Sequence, residues 1–290
     1  MDCKDCSKKD CPSHDANEEE QKMAQRMCTI KHRIAVMSGK GGVGKSTIAV
    51  NLAVALSQQG FKVGLLDADL HGPSVPTMLH LQDARITMGD NGIEPIMIGD
   101  NLKVISIAFF LETSDQAVVW RGPMKLGAIK QMLQDVEWGE LDYLIIDCPP
   151  GTGDEPLAVV QLISKLDGAI IVTTPQDVVS SDVRRSIKFC EMLHLPILGV
   201  IENMNGFQCP DCGSTHYIFK RGGGRVLAES LNLPFLGSLP LVQAMAESGD
   251  YGVPYATKFR DSPAGEIFAK IALEIVNVTS ESVDQSTTCS

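Results

Sequence analysis

The sequence has no excess of basic charge, no long hydrophobic run and no apolar leader. Its 25 basic and 36 acidic side chains give a formal net charge of −11, which argues against non-specific binding of nucleic acid, since that depends on Lys and Arg. Apolar runs such as residues 143–146 and 169–172 are far shorter than the ~20 residues of a membrane-spanning helix. The chain starts with Asp, Lys and Cys instead of an apolar segment. We therefore expect a soluble, cytoplasmic protein with no membrane or nucleic-acid partner.

Cysteine is the residue type with the unusual distribution. The chain has nine cysteines, several of them clustered. An odd number of cysteines in a chain of 290 residues without an export signal argues against a disulfide framework. Clustered thiols in a reducing compartment are more typical of metal ligands.

Composition and periodicity divide the chain into three regions. Residues 1–31 are polar and rich in cysteine, without a periodic apolar pattern, which predicts a flexible arm. Residues 32–278 form the globular part, predicted to be a phosphate-loop ATPase domain. Residues 279–290 are rich in Ser and Thr, which predicts a disordered tail.

The globular part alternates short apolar runs with helical patterns. Strands are predicted at residues 33–37, 62–66, 141–146, 169–173, 197–201 and 235–238, with helices that include 45–59, 124–134, 156–166 and 181–193. This alternation is typical of an α/β fold with a doubly wound, mostly parallel sheet that carries helices on both faces. Residues 86–107 interrupt the pattern, and we expect a β-hairpin insertion there.

A phosphate-binding loop follows the first predicted strand. The sequence G-x-x-x-x-G-K-[ST] begins at Gly39 and ends at Ser46, directly before a predicted helix, and this context is what the motif requires. The glycines allow backbone N–H groups to surround phosphate oxygens, and the helix N-terminus favours negative charge. Lys45 is expected to reach the terminal phosphates and Ser46 to bind Mg²⁺. The predicted nucleotide-binding residues are Gly39, Lys40, Gly41, Gly42, Val43, Gly44, Lys45, Ser46 and Thr47.

Carboxylates follow two of the other predicted strands. Asp67 and Asp69 close the second strand, and Asp147 closes the strand at 141–146. The carboxyl ends of parallel strands meet at the edge where ligands bind, and Mg²⁺ prefers oxygen ligands. We expect Asp147 to hold Mg²⁺, with Asp67 supporting the metal or the loop.

The cysteines form two candidate sites. Cys209 and Cys212 form a C-x₂-C pair, which supplies two thiolates where zinc or an iron–sulfur cluster needs more. The remaining ligands come either from Cys3 and Cys6 or from a second subunit, because two pairs related by a two-fold axis make a four-cysteine site. Cys3, Cys6 and Cys11, with the distant Cys28, form a second candidate cluster site.

The phosphate loop resembles the deviant form K-G-G-x-G-K-[ST], which is found in the family of MinD, ParA and the nitrogenase iron protein. The wider set of motifs resembles the Mrp/ApbC family of iron–sulfur cluster carrier ATPases, and the match runs from about residue 31 to 277. It depends on residues 40–47, 67–74, 120–124, 138–143 and 147–154 and on the C-x₂-C pair.

This resemblance implies a homodimer that holds a [4Fe–4S] cluster between two C-x₂-C pairs, passes it to apo iron–sulfur proteins and slowly hydrolyses ATP with Mg²⁺. It implies that Lys40 reaches the partner subunit's nucleotide and that Asp69 orients the attacking water. It also implies that Asn203 and the backbone around Pro240 flank the adenine. The eukaryotic members place a long gap before an N-terminal C-x₂-C, whereas here the C-x₂-C comes first.

Two other interpretations remain open at this point. A MinD/ParA-like positioning switch would need a basic C-terminal helix or face, but residues 263–278 offer Lys270 against Glu266 and Glu274. Alternatively, Cys209 and Cys212 hold a structural zinc ion, because sequence does not distinguish zinc from iron–sulfur in thiolate sites.

Overall fold

A computed structural model describes residues 22–70, 72–110, 122–163 and 165–283. The strands are β1 Ile30–Met37, β2 Val63–Asp67, β3 Thr87–Met88, β4 Ile93–Glu94, β5 Ile96–Ile98, β6 Leu102–Ser106, β7 Leu141–Asp147, β8 Gly168–Thr173, β9 Ile197–Glu202, β10 Phe207–Gln208, β11 Thr215–His216 and β12 Phe235–Ser238. The helices are α1 Lys45–Gln58, α2 Val75–Met78, α3 Gly122–Gln134, α4 Asp154–Leu162, α5 Asp177–Met192, α6 Gly223–Ser230, α7 Gln243–Asp250, α8 Tyr255–Lys258 and α9 Pro263–Val283. Residues 22–28 are also helical.

Eight strands form the main sheet, in the order β12-β9-β8-β1-β7-β2-β6-β5. Neighbouring strands are parallel except for β5 and β6. Strand β1 lies between β7 and β8, with Val36 opposite Asp147 on one side and Ile170 on the other. The carboxyl ends of the parallel strands therefore meet at one edge, as the sequence predicted.

Alternate residues of each central strand face opposite cores. Ile34 and Val36 of β1 belong to a core formed with α1, α2, α7, α8 and α9. Ala35 and Met37 belong to a second core, formed with residues 22–28 and α3 to α6. Both faces of the sheet are covered, which explains why its strands are continuous apolar runs. Among the described helices, including the 21-residue α9, none combines the length and apolar character needed to cross a bilayer.

The predicted hairpin at residues 86–107 covers two separate antiparallel pairs. Strands β3 and β4 pair with each other, and β5 pairs with β6. However, β6 also pairs in parallel with β2, so the last part of the predicted hairpin belongs to the main sheet. The expectation was wrong for β6 because Gly99 and Asn101 before it suggest a hairpin turn, while its pairing with the distant β2 is not visible in the local sequence.

Both ends of the globular part extend beyond the predicted boundaries. Residues 22–31 belong to the body and not to an arm: Met27 is buried, and the Arg26 guanidinium donates to the Val136 carbonyl at 2.6 Å. At the other end α9 runs through Val283, and the buried Thr279 hydroxyl lies 3.2 Å from the Tyr143 hydroxyl. The rest of the predicted arm and tail, residues 1–21 and 284–290, lies outside the described residues.

Candidate functional site

The loop between β1 and α1 has the backbone conformation that its glycines allow. Gly42 (φ 78°) and Gly44 (φ 83°) both lie in the left-handed region, which costs little only without a Cβ atom. The Ser38 hydroxyl donates to the Lys40 carbonyl at 3.0 Å, and the Gly151 N–H donates to the Ser38 carbonyl at 2.8 Å. The loop after β7 thus fixes the start of the phosphate loop, and α1 points its N-terminus into the loop, where an anion is favoured.

A cavity of about 190 Å³ lies in this loop. Of the residues predicted to bind nucleotide or act on it, those that line the cavity are Lys40, Gly41, Gly42, Gly44, Lys45, Ser46, Thr47 and Asp69. Gly39 and Val43 belong to the loop but do not line the cavity. Gly39 packs so closely on the Asp182 backbone that a Cβ atom would lie 2.5 Å from it, while Val43 is buried in the core.

A buried ion pair lies at the bottom of the cavity. Lys45 Nζ is 2.5 Å from Asp147 Oδ1, and the two side chains are 6% and 0% exposed. Burial alone would lower the pKa of Lys45, but the charge of Asp147 and its hydrogen bond raise it overall. Burial raises the pKa of Asp147, against the opposing effect of Lys45. The lysine is therefore held protonated where phosphate charge would enter.

Ser46 and Asp147 fit a magnesium ion. The Ser46 hydroxyl lowers the pKa of the Asp147 carboxyl through hydrogen bonding and lies 3.4 Å from Lys45 Nζ, while Asp147 Oδ2 is buried without a hydrogen-bond partner. A buried oxygen of this kind is costly unless a ligand satisfies it, and a hydroxyl beside a carboxylate is a donor set for a hard cation. Among the described residues, no group of three or more His, Cys, Asp or Glu side chains forms a ready-made metal cage, so phosphate oxygens and water would supply the other ligands.

Asp67 lies below this site and holds the loop that follows it. Its Oδ1 accepts from the Asp69 N–H at 3.2 Å, and its Oδ2 accepts from the Ser106 hydroxyl at 3.0 Å. Burial, with the charge of the neighbouring Asp147, raises the pKa of Asp67 to about 8. Since both oxygens are occupied, the structure favours the support role for Asp67 over that of a magnesium ligand.

Asp69 lies at the wall of the cavity. Its backbone N–H is fixed by Asp67, and its Oδ1 accepts from the Gly72 N–H at 3.3 Å. The carboxylate is therefore presented to the cavity by a turn of the loop that follows β2, where a water molecule could lie between it and a phosphate.

Asn203 contacts the phosphate loop directly. Its Nδ2 donates to the Val43 carbonyl at 2.9 Å, and its Oδ1 accepts from the Met204 N–H at 2.9 Å. A Cβ atom at Gly44 would overlap this amide, so Gly44 is also needed for this contact. Pro240 lies apart from the phosphate cavity and lines a larger one of about 570 Å³, together with Cys209 and Leu241. The predicted adenine contacts stay predictions.

The C-x₂-C pair lies at the tip of a small hairpin. Strands β10 and β11 are antiparallel, and the turn between them is closed by the Cys209 N–H donating to the Ser214 carbonyl and the Gly213 N–H donating to the Cys209 carbonyl, both at 2.9 Å. Both thiols are free, Cys209 partly exposed and Cys212 exposed. Hydrogen bonds from Ser214 and Cys209 lower the pKa of Cys212, which favours the thiolate that binds metals.

The other cysteines differ from this pair. Cys148 and Cys190 are buried, and burial raises the pKa of both thiols, that of Cys190 to about 11. Cys28 is exposed and disulfide-bonded, which the sequence did not predict. In a disulfide Cys28 has no thiolate to bind the predicted second cluster. Cys3, Cys6 and Cys11 lie outside the described residues, so their role as cluster ligands stays a prediction.

Two residues that support the site were not predicted. Ser106, which holds Asp67, ends β6 at the ligand-binding edge, but its segment was assigned to a hairpin. Glu202 is buried at the end of β9, where its carboxylate accepts from the Gly224 N–H at 2.7 Å and from the Ser238 hydroxyl at 2.9 Å. The position of Glu202 directly before Asn203 was the available signal.

A family model described as ParA, NUBPL iron-transfer P-loop NTPase, matches residues 29–276. The chain belongs to this family. This match confirms the predicted family resemblance and the P-loop NTPase type of fold, and the main sheet described above confirms the predicted mostly parallel sheet.

Proteins similar to this member of the family include named carriers. An iron–sulfur cluster carrier protein of Methanocaldococcus jannaschii is 49% identical over 277 residues, which cover 94% of this chain and 95% of that protein. A cytosolic Fe–S cluster assembly factor NUBP2 homolog of Nematostella vectensis is 47% identical over 261 residues, which cover 89% and 97%.

Solved structures agree with the fold. The nucleotide-binding protein of Archaeoglobus fulgidus, in complex with ADP and with cobalt, is 39% identical with a TM-score of 0.74, and the match covers 85% of this chain and 95% of that one. The cell division ATPase MinD of Pyrococcus furiosus is 24% identical with a TM-score of 0.62, over 86% and 99% of the two chains. This last similarity concerns the fold alone.

Proposed function

We propose that the protein is an ATP-dependent iron–sulfur cluster carrier, which binds a [4Fe–4S] cluster at a homodimer interface and transfers it to apo iron–sulfur proteins. The observation that carries the proposal is the hairpin tip, where Cys209 and Cys212 are both free, the first partly exposed and the second exposed, in one turn closed by backbone hydrogen bonds. The names of the Methanocaldococcus jannaschii and Nematostella vectensis relatives support the same cargo, and the second name supports a cytosolic location.

The number of thiolates argues for a shared site. A cubane cluster takes four cysteine ligands, and the hairpin supplies two. Cys148 and Cys190 cannot contribute, because both are buried in the core. A two-fold axis near the hairpin would supply two more thiolates from a second copy without any further cysteine. A site made of two exposed hairpin tips is also open to a recipient protein, as a transferable cluster requires.

The phosphate cavity supports slow ATP hydrolysis. Lys45 and the N–H groups of the loop would hold the terminal phosphates, and Ser46 with Asp147 would hold Mg²⁺, which when bound neutralises phosphate charge. Asp69 would orient the attacking water from the cavity wall. Lys40, which lies half-exposed at the rim, would contact the nucleotide of the second subunit. ATP binding would thereby favour the same dimer that the cluster needs.

The test is reconstitution of the full chain with Cys3, Cys6, Cys11 and Cys28 replaced by Ser, so that the hairpin pair alone is measured. We expect a brown protein with half a [4Fe–4S] cluster per chain and the mass of a dimer. Cys209→Ala and Cys212→Ala should each lose iron and sulfide together, while ATP binding is retained. Asp211→Ala is the matched control, because it changes the same turn and keeps both thiols.

Three results would contradict the proposal. A full cluster on a strict monomer would remove the shared site, and a cluster retained in Cys209→Ala would remove the hairpin as its ligand. A colourless protein that carries zinc after anaerobic purification would instead favour the structural zinc interpretation.

A further inference from the structure

The residues between β9 and β10 join the phosphate loop to the cysteine hairpin. The Asn203 amide donates to the Val43 carbonyl in the middle of the phosphate loop, and it is 4% exposed. The chain then needs only Met204, Asn205 and Gly206 before β10 begins, and Cys209 follows β10 directly. A side-chain contact with the nucleotide loop is therefore six residues from the first thiol.

A second connection runs from the base of the hairpin to the loop after β12. The Asn205 N–H donates to the Leu239 carbonyl at 2.9 Å, and the Leu241 N–H donates to the Gly206 carbonyl at 2.8 Å. Phe207 also forms a bridge with Leu241. Pro240 lies between these two anchors and lines the same cavity as Cys209. A displacement of Pro240 would therefore change both hydrogen bonds that position the hairpin.

The connecting segment has little freedom to absorb such a displacement. Gly206 is at φ 84°, and a Cβ atom there would lie 3.1 Å from the Thr215 side chain and 3.2 Å from the Tyr217 ring. On its other side Asn205 Nδ2 donates to the Ser238 hydroxyl at 2.7 Å, and that hydroxyl donates to Glu202. Tightly packed elements of this kind transmit small shifts instead of damping them.

We propose that residues 203–206 and 239–241 together form the link through which the nucleotide changes the metal affinity of Cys209 and Cys212, with Asn203 and Gly206 as positioning residues. The proposal rests on the proposed function and adds its regulation. Because coupling between two binding sites is reciprocal, metal at the hairpin changes nucleotide affinity by the same factor. Typical couplings correspond to about a five-fold change or more.

The experiment measures Co²⁺ binding to the full chain carrying the four Ser replacements given above, by thiolate-to-cobalt charge-transfer absorption, with and without Mg-ADP. Wild-type residues in the link should give a Co²⁺ dissociation constant that changes about five-fold or more on adding Mg-ADP. Gly206→Ala should reduce this ratio to near one while Co²⁺ and Mg-ADP each still bind. Gly222→Ala is the matched control, and it should keep the ratio. Gly222 also has a positive φ (69°), but a Cβ atom there would have no neighbour within 4 Å among the described residues.

Two further measurements use the unchanged link and do not depend on the folding of a variant. Mg-ADP affinity should change with Co²⁺ by the same factor, and hydrogen exchange of the Leu241 N–H should change when Mg-ADP binds. A ratio of one in both directions, an unchanged exchange rate, or a ratio kept in Gly206→Ala would each overturn the link. If cluster transfer persists in that case, the carrier function stands without it, whereas loss of all metal binding at the hairpin would refute the function itself.

Discussion

Replacing Lys45 by Met should destabilise the nucleotide-free protein strongly, although the lysine lies in a ligand site. The substitution keeps most of the aliphatic volume and removes the cation that lies 2.5 Å from Asp147 Oδ1. Asp147 would then be fully buried beside Asp67, which is also fully buried, without the lysine that balances its charge. Removing one partner of a buried ion pair destabilises a protein by about 3–5 kcal/mol. Protonation of Asp147 would limit this loss, because a neutral carboxyl does not need a cation beside it.

The assay is equilibrium urea unfolding in EDTA without nucleotide at pH 7.5, followed by far-UV circular dichroism. In a thermal scan followed by the same signal, a loss of about 3–5 kcal/mol corresponds to a fall of about 6–20 °C in the unfolding temperature of a domain of this length. Lys40→Met is the matched control, because Lys40 is a half-exposed lysine of the same loop, and it should change the stability by less than about 0.5 kcal/mol.

A double substitution tests whether the unpaired charge of Asp147 causes the loss of stability. Lys45→Met with Asp147→Asn should be more stable than the sum of the two single losses, because the second change removes the unpaired charge. If the losses add, or if Lys45→Met is as stable as the unsubstituted protein, the buried pair is not what stabilises this region. Lys45→Met should in any case lose ATP hydrolysis, since the terminal phosphates lose their cation.

Three other predictions concern the same region and the N-terminus. Asp69→Asn should bind ATP with unchanged affinity but hydrolyse it more slowly, because it removes the carboxylate at the cavity wall and not the phosphate loop, as equilibrium binding and single-turnover hydrolysis will measure. Asp67 should make the nucleotide-free protein less stable as pH rises from ~4 to about 8, because the unfolded chain releases the proton that the buried carboxyl keeps. Asp67→Asn should flatten this slope in urea unfolding across that range. Deletion of residues 1–21 should leave stability and ATPase activity unchanged, whereas deletion of residues 1–28 should destabilise the protein by about 2–5 kcal/mol, because it removes the buried Met27.

Each of these three predictions would be contradicted by one specific result. Loss of ATP affinity in Asp69→Asn would place that carboxylate in binding, and an equally steep pH slope in Asp67→Asn would assign the slope to another group. Equal stability of the two truncated proteins would show that the helical residues 22–28 add nothing to the body.

The central sheet could be predicted from sequence because its strands are buried on both faces. Val63–Asp67, Leu141–Asp147 and Gly168–Thr173 are runs of apolar residues that need no knowledge of their neighbours to be identified. β6 could not be assigned in the same way, because its place between β2 and β5 depends on pairing with residues about 40 positions away. The boundary at residue 31 failed for a related reason, since Met27 and Arg26 meet their partners only in the tertiary structure.

In the candidate site, too, features encoded locally could be predicted and features that depend on long-range contacts could not. The phosphate loop is a local motif, so seven of the residues that line its cavity could be named before the fold was known, whereas Ser38, Met78 and Pro150 were not predicted to bind nucleotide. The roles of Asp67 and Asn203 depend on what their second polar atoms contact, Ser106 and Met204, and residue type alone does not reveal this. The thiols of the hairpin could be identified by spacing, but their exposure at a tip depends on β10 and β11.

The central position of β1 also affects how the chain folds as it is synthesised. Its first sheet neighbour, β7, begins 104 residues after β1 ends, at Leu141 after Met37. At about 5–20 residues per second, that gap is about 5–20 s during which this apolar strand lacks both of its sheet neighbours. Both neighbours of β1 are made by Thr173, before the ribosome reaches Cys209. Synthesis therefore completes the strands that carry the phosphate loop before it produces the thiols that would hold the cargo.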